Sequence, residues 1–154
     1  MERYEELLIK YSHLLINDCY KLPGNFKGFY DNGVILIDKN LSKAKKLEVL
    51  AEELAHHEIT YGNIVNQKDI QNRKYELKAR RLANEKLISL EGIINAFLQG
   101  IHNLYELADF FEVTESFVLQ SIEHYKQKYG CSTRCGNYVI QFEPLRVFEY
   151  KNID

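Results

Sequence analysis

Leu50-Ala51-Glu52-Glu53-Leu54-Ala55-His56-His57 lies inside an apolar-periodic run, and the fold turns on how it is read. Leu47, Leu50, Ala51 and Leu54 recur at helical spacing and predict the core face of a long helix. Ser42 is its expected N-cap, the helix runs to about Tyr61, and Gly62 lies beyond its end. Glu53 precedes His56 by three residues, the spacing of the second half of an H-E-x-x-H zinc helix. In that motif the last histidine binds the metal and the glutamate takes a proton from water. Glu52 stands where the first histidine belongs. A carboxylate is also a legitimate zinc ligand, and positions i and i+4 share a helix face. Glu52 and His56 are therefore candidate ligands and Glu53 a candidate general base.

A catalytic zinc takes three protein ligands and leaves one position open, so a third ligand is expected from a later helix. Glu76 is the candidate, a lone acid among Arg73, Lys74, Lys78, Arg80 and Arg81. His57 is rotated by roughly 100° from His56 around the helix, which suits a hydrogen bond to substrate or to a ligand's partner better than the same ion. Tyr30, His57, Tyr61 and Tyr75 are all candidates to stabilise an oxyanion, and the sequence does not choose among them. The competing reading is an ordinary charged helix whose i,i+4 Glu–His pair is a weak surface pair.

Working outward, Tyr4, Leu7, Leu8, Tyr11, Leu14 and Leu15 predict a helix from Glu2 to about Ile16. Asp18 to Leu22 reads as a strand before the Pro23-Gly24-Asn25 turn. Lys27-Gly28-Phe29-Tyr30 and Val34-Ile35-Leu36-Ile37 read as a β-hairpin around Asp31-Asn32-Gly33, the second strand apolar on both faces. Helices follow over Ile70–Ile88, over Leu90–Leu98 with Ser89 as cap, from Asn103 to near Phe111, and from Thr114 to about Tyr129. Tyr138–Phe142 and Leu145–Tyr150 read as strands. The layout is α+β with helix dominant.

Composition narrows the class. A chain of 154 residues fits one compact domain. A formal charge of −2 argues against a nucleic-acid surface spread over the whole molecule. No apolar run is long enough to span a bilayer, and the acidic Met1-Glu2-Arg3-Tyr4-Glu5-Glu6 does not read as a signal peptide. Cys19, Cys131 and Cys135 leave one thiol over in any disulfide scheme, which suits a reducing cytoplasm.

The octapeptide, the following Thr60-Tyr61-Gly62-Asn63-Ile64 and the run Asn72-Arg73-Lys74-Tyr75-Glu76-Leu77-Lys78-Ala79-Arg80-Arg81-Leu82-Ala83-Asn84-Glu85-Lys86-Leu87-Ile88 together resemble the ImmA/IrrE metallopeptidases. The small forms carried by prophages and conjugative elements of low-GC Gram-positive bacteria are the nearest likeness. Gly28–Ile37 and Tyr105–Thr114 are similar to segments of the same group, so the resemblance covers about residues 1–130. It implies a zincin-like core, placed over 1–100 with the hairpin before the motif helix; the residue pattern adds a helix-turn-helix-like unit over 101–130 packed on it and a β tail over 131–154. It implies a cytoplasmic endopeptidase, an anti-repressor that cleaves a helix-turn-helix repressor of a prophage or other mobile element. His56 then matches the second metal ligand, Glu53 the general base and Glu76 the acidic ligand of the later helix. Glu52 in place of the first histidine hardens the donor set around Zn²⁺ and brings Mn²⁺ into range. The alternative function is an inactive module that sequesters a repressor or antitoxin.

Other features carry less. Leu104–Val118 has helix-turn-helix spacing, but Glu112 occupies the usual glycine position, and Glu115 and Glu123 on the second helix repel phosphate. A DNA-binding regulator is therefore the third reading. Cys131-x-x-x-Cys135 has no second cysteine pair to complete a metal knuckle. The basic set around Glu76 reads as a solvated helix face or as a means of steering an acidic segment.

Overall fold

The computed structural model describes residues 2–62 and 72–150, with side chains described at 2–60 and 74–150. Among them are six helices and two three-stranded sheets, an α+β protein in which helix dominates. The chain divides into two compact units, Met1–Ala83 and Asn84–Asp154.

The first unit begins with α1 (Arg3–Lys10), β1 (Leu15–Asn17), β2 (Gly28–Asp31) and β3 (Val34–Ile37). The helix expected to reach Ile16 stops at Lys10, because residues 15–17 join the sheet. They pair parallel to β3, Leu15 opposite Val34 and Asn17 opposite Leu36, so the open edge of β3 satisfies their backbone groups. The apolar period of α1 runs on without a break into this strand, which is why periodicity alone misplaces the boundary. Asp18–Leu22 is not a strand. The Asn17 side chain accepts from the Cys19 amide at 2.8 Å and turns the chain away, and Asp38 Oδ1 holds the Leu22 amide at 2.8 Å.

The hairpin forms as expected, Gly28 opposite Ile37 and Asp31 opposite Val34. Asn32 and Gly33 take φ of 46° and 82°, the two positive values that a tight primed turn needs. β3 is only half buried as a strand: Ile35 and Ile37 are sealed, whereas Val34 and Leu36 are partly open. The sealed side faces α2 (Lys43–Gly62), whose Leu47, Leu50, Ala51 and Leu54 are buried. Ser42 Oγ accepts from the Lys45 amide at 3.2 Å and starts that helix. The sheet order is β1-β3-β2, so among the described residues β2 is an edge strand.

Helix α3 (Asn72–Leu87) leads into the second unit. There α4 (Leu90–Leu98), α5 (Leu104–Phe111) and α6 (Glu115–Tyr129) begin at Ser89, Asn103 and Thr114, each side chain accepting from an amide of the first turn. Glu112 closes α5 in the left-handed region, φ 59°, where glycine is the usual occupant. A meander of β4 (Ser132–Cys135), β5 (Tyr138–Phe142) and β6 (Leu145–Glu149) follows. β4 was not expected from the sequence. Ile140 and Phe142 are sealed beneath α4 and α6, with the Tyr125 ring stacked 5.9 Å from Phe142.

Candidate metal centre

Burying Leu47, Leu50, Ala51 and Leu54 fixes the rotation of α2, and that rotation sets where its polar residues point. His56 is 6% exposed, an unusual depth for an imidazole with no apolar role. Its ring lies 4.9 Å from that of Tyr75 on α3, tilted by 34°. Its Nε2 stands 3.3 Å from Glu76 Oε2, while the Glu76 side chain remains 54% exposed. Glu52, one turn before His56, completes the set: one donor atom from each of Glu52, His56 and Glu76 lies within 4.8 Å of the others. The two residues chosen from spacing, Glu52 and His56, and the lone acid Glu76 are brought together.

Glu53 sits beside this set and against β2. A Cβ on Gly28 would lie 3.0 Å from Glu53 Oε1 and only 2.4 Å from Val49 Cγ1. Glycine at 28 is thus what allows the edge strand to approach the base this closely. Burial pushes the Glu53 carboxyl up to about 8, and the negative charges of Glu52 and Glu76 push the same way. Burial also raises Glu52; the Arg80 guanidinium opposes that rise and Glu76 adds to it.

Two carboxylates and an imidazole converging in a desolvated place fit a divalent cation. Burial and the Glu76 charge both disfavour ionisation of Glu52, and a dication reverses both effects. Glu52, His56 and Glu76 are the residues that would hold it, three protein ligands being the number a catalytic zinc takes.

The remaining candidates separate by place. The His57 Nδ1 is 2.7 Å from the Tyr30 hydroxyl on β2, the rings edge to face at 5.4 Å. Burial lowers its pKa, with His13 acting the same way and Glu58 opposing. The Tyr75 hydroxyl donates to the His56 carbonyl at 3.2 Å and is also bonded to Thr60 Oγ1. The Tyr61 side chain lies outside the described residues. Sequence reasoning missed Gly28, Thr60 and the nearness of Arg80 to Glu52. Of these only Gly28 carried a signal, as a glycine inside a strand beside the motif helix.

Residues 9–123 match the family model Peptidase_M78, described as the IrrE N-terminal-like domain. That is about three-quarters of the sequence and takes in α2, α3 and the whole triad. The chain belongs to this metallopeptidase family. No curated protein matches the sequence. As an IrrE-like metallopeptidase it is of a kind that acts on protein substrates with a divalent metal. The family match ends within α6, so β4–β6 lie beyond it.

Proposed function

We propose that the chain is a metal-dependent endopeptidase with a zincin-like core, an anti-repressor that cleaves a helix-turn-helix repressor of a prophage or mobile element. The observation that carries this reading is the convergence of Glu52, His56 and Glu76 within 4.8 Å beside Glu53. Zn²⁺ is the proposed ion, with Mn²⁺ the alternative that two carboxylates favour. Bound there, the ion supplies Lewis acidity toward the scissile carbonyl and makes water more acidic.

The chain's own residues do the rest. Glu53 takes a proton from the attacking water at its carboxylate as the new C–O bond forms. It returns that proton to the amine nitrogen as the C–N bond breaks. A neighbouring dication favours its ionised form, so the same carboxyl that burial holds up at about 8 becomes a base at neutral pH. β2 is an edge strand lying against Glu53, so an extended substrate segment added to it would pass the base. The bonded Tyr30–His57 pair on that side is the proposed donor to the oxyanion, because the Tyr75 proton is already committed to the His56 carbonyl. The three cysteines are thiols, which supports the cytoplasm as its place of action. Among the described residues no helix is long and apolar enough to cross a membrane.

The test is metal content by elemental analysis together with a cleavage assay against a purified helix-turn-helix repressor. Wild type should carry about one equivalent of zinc or manganese, and H56A none. E53Q should keep the metal and lose cleavage by roughly 10²–10⁴-fold. Retained cleavage in E53Q would remove Glu53 from the mechanism. Glu52 in place of the first histidine favours one second reading, a module that sequesters its partner without cutting it. Absence of metal from wild type, even after reconstitution, would select that reading. The exposed Glu106, Asp109, Glu115 and Glu123 of α5 and α6 speak against a DNA-binding face there.

A further inference from the structure

Glu76 presents a difficulty as a ligand. It is more than half exposed, and a flexible carboxylate at that exposure holds its place opposite His56 only if the helix carrying it is fixed. Among the described residues, Ala55, Ile59 and Ala79 form a buried cluster between α2 and α3 near this point, with Tyr75 and Leu82 partly buried against it. Two of those three buried members are alanines, which bring the backbones close but contribute little apolar area.

The residue next to Glu76 adds a polar tie to this cluster. The Tyr75 ring rests on the His56 imidazole at 4.9 Å, and its hydroxyl bonds the His56 carbonyl at 3.2 Å and Thr60 Oγ1. The proton roles are consistent, with the Thr60 hydroxyl donating to the phenol oxygen and the phenol donating to the carbonyl. Thr60 lies one turn beyond His56, so both bonds fall on the turn of α2 that carries the ligand. A single side chain thus fixes the His56 ring from one face and ties the backbone of Glu76 to the backbone of His56.

We propose that Tyr75 and Thr60 form a clamp that positions Glu76 across from His56 and so sets the geometry and affinity of the metal site. Tyr75 is a positioning residue, not an oxyanion donor. The proposal rests on the metal-binding reading above.

The test uses the full chain and Co²⁺ as probe, because its visible absorption reports coordination geometry independently of activity. Y75F keeps the ring on His56 and removes the hydroxyl; T60V removes its partner at nearly constant shape; T60S keeps the hydroxyl. Y75F and T60V should each weaken Co²⁺ binding about tenfold and shift the visible band. T60S should match wild type. The double variant Y75F/T60V should be no weaker than the weaker single variant, since both remove one unit. Circular dichroism and urea unfolding of the metal-free variants separate a lost clamp from a lost fold, and T60V keeps the test open should Y75F fail to fold. Wild-type affinity and spectrum in both Y75F and T60V would overturn the clamp while leaving the metal site standing. No Co²⁺ or Zn²⁺ bound by wild type would overturn the metal-site reading itself and the clamp with it.

Discussion

At the scale of single residues, Glu52 is where this chain departs from the usual zinc helix, and its surroundings say what the change does. Burial raises its pKa, Arg80 works against that rise, and Glu76 repels it. A partly buried carboxylate facing another carboxylate gains more from a hard dication than an imidazole would, and it gains less from soft coordination. E52H should therefore bind Zn²⁺ more tightly relative to Mn²⁺ than wild type does, by about tenfold. Competitive titration of the two ions on both proteins measures this, and an unchanged ratio would remove Glu52 from the ligand set. The proposed ligands were legible as candidates in the sequence because one helix carries Glu52 and His56 at fixed angular spacing, and Glu76 stands out as an acid among bases. Thr60 and Arg80 were not legible. Their roles depend on the face that α3 turns toward α2, which neither helix encodes alone.

At the scale of elements, the close approach of β2 to α2 rests on Gly28. A methyl group there would meet Val49 Cγ1 at 2.4 Å, so strand or helix must shift. G28A should lower unfolding free energy by about 1–3 kcal/mol in urea titrations, the range for overpacking a tight contact. It should also lose cleavage, because Glu53 is the other atom group in the way. A fully stable, fully active G28A would show that the strand is free to retreat. A second element-scale contact joins α3 to α6. Glu85 accepts from Lys128 Nζ at 2.5 Å and His124 Nε2 at 3.1 Å. Burial pushes its pKa up, but the bonds to Lys128 and His124 outweigh it and hold the carboxyl below the ordinary range. A depressed carboxylate pKa contributes stability that is present above the unfolded value and lost as pH falls through the folded one. E85Q should thus be less stable than wild type near pH 7 by about 1 kcal/mol, and the gap should close in acid. A gap that widens in acid would reverse the sign assigned to Glu85. The capped helices here were readable because Ser42, Ser89, Asn103 and Thr114 each accept a first-turn amide, a local act that leaves a local signature. β1 and β4 were not readable in the same way. Each has only three or four residues, and each exists because a partner strand, β3 or β5, offers it a ladder.

At the scale of the whole molecule, all three proposed ligands fall within Met1–Ala83, and none within Asn84–Asp154. A ligand that binds the folded state alone stabilises it by RT ln(1 + [L]/Kd), about 2.7 kcal/mol at a hundred times Kd. Zinc at saturation should therefore raise the thermal midpoint of wild type, chelation should reverse the rise, and H56A should respond to neither. The added protection should also be unequal along the chain. Amides of α2 and of the first part of α3 exchange only when the residues holding the ion separate, so saturation should slow their hydrogen exchange. Amides of β4–β6 hang on the Tyr125–Phe142 stack and the sheet ladder, and carry none of the described ligands. Hydrogen exchange with and without zinc distinguishes the cases. Slowing confined to α2 and α3 places the ion on Glu52, His56 and Glu76, whereas slowing centred on β4 would move the site to Cys131 and Cys135 and sink the assignment made here.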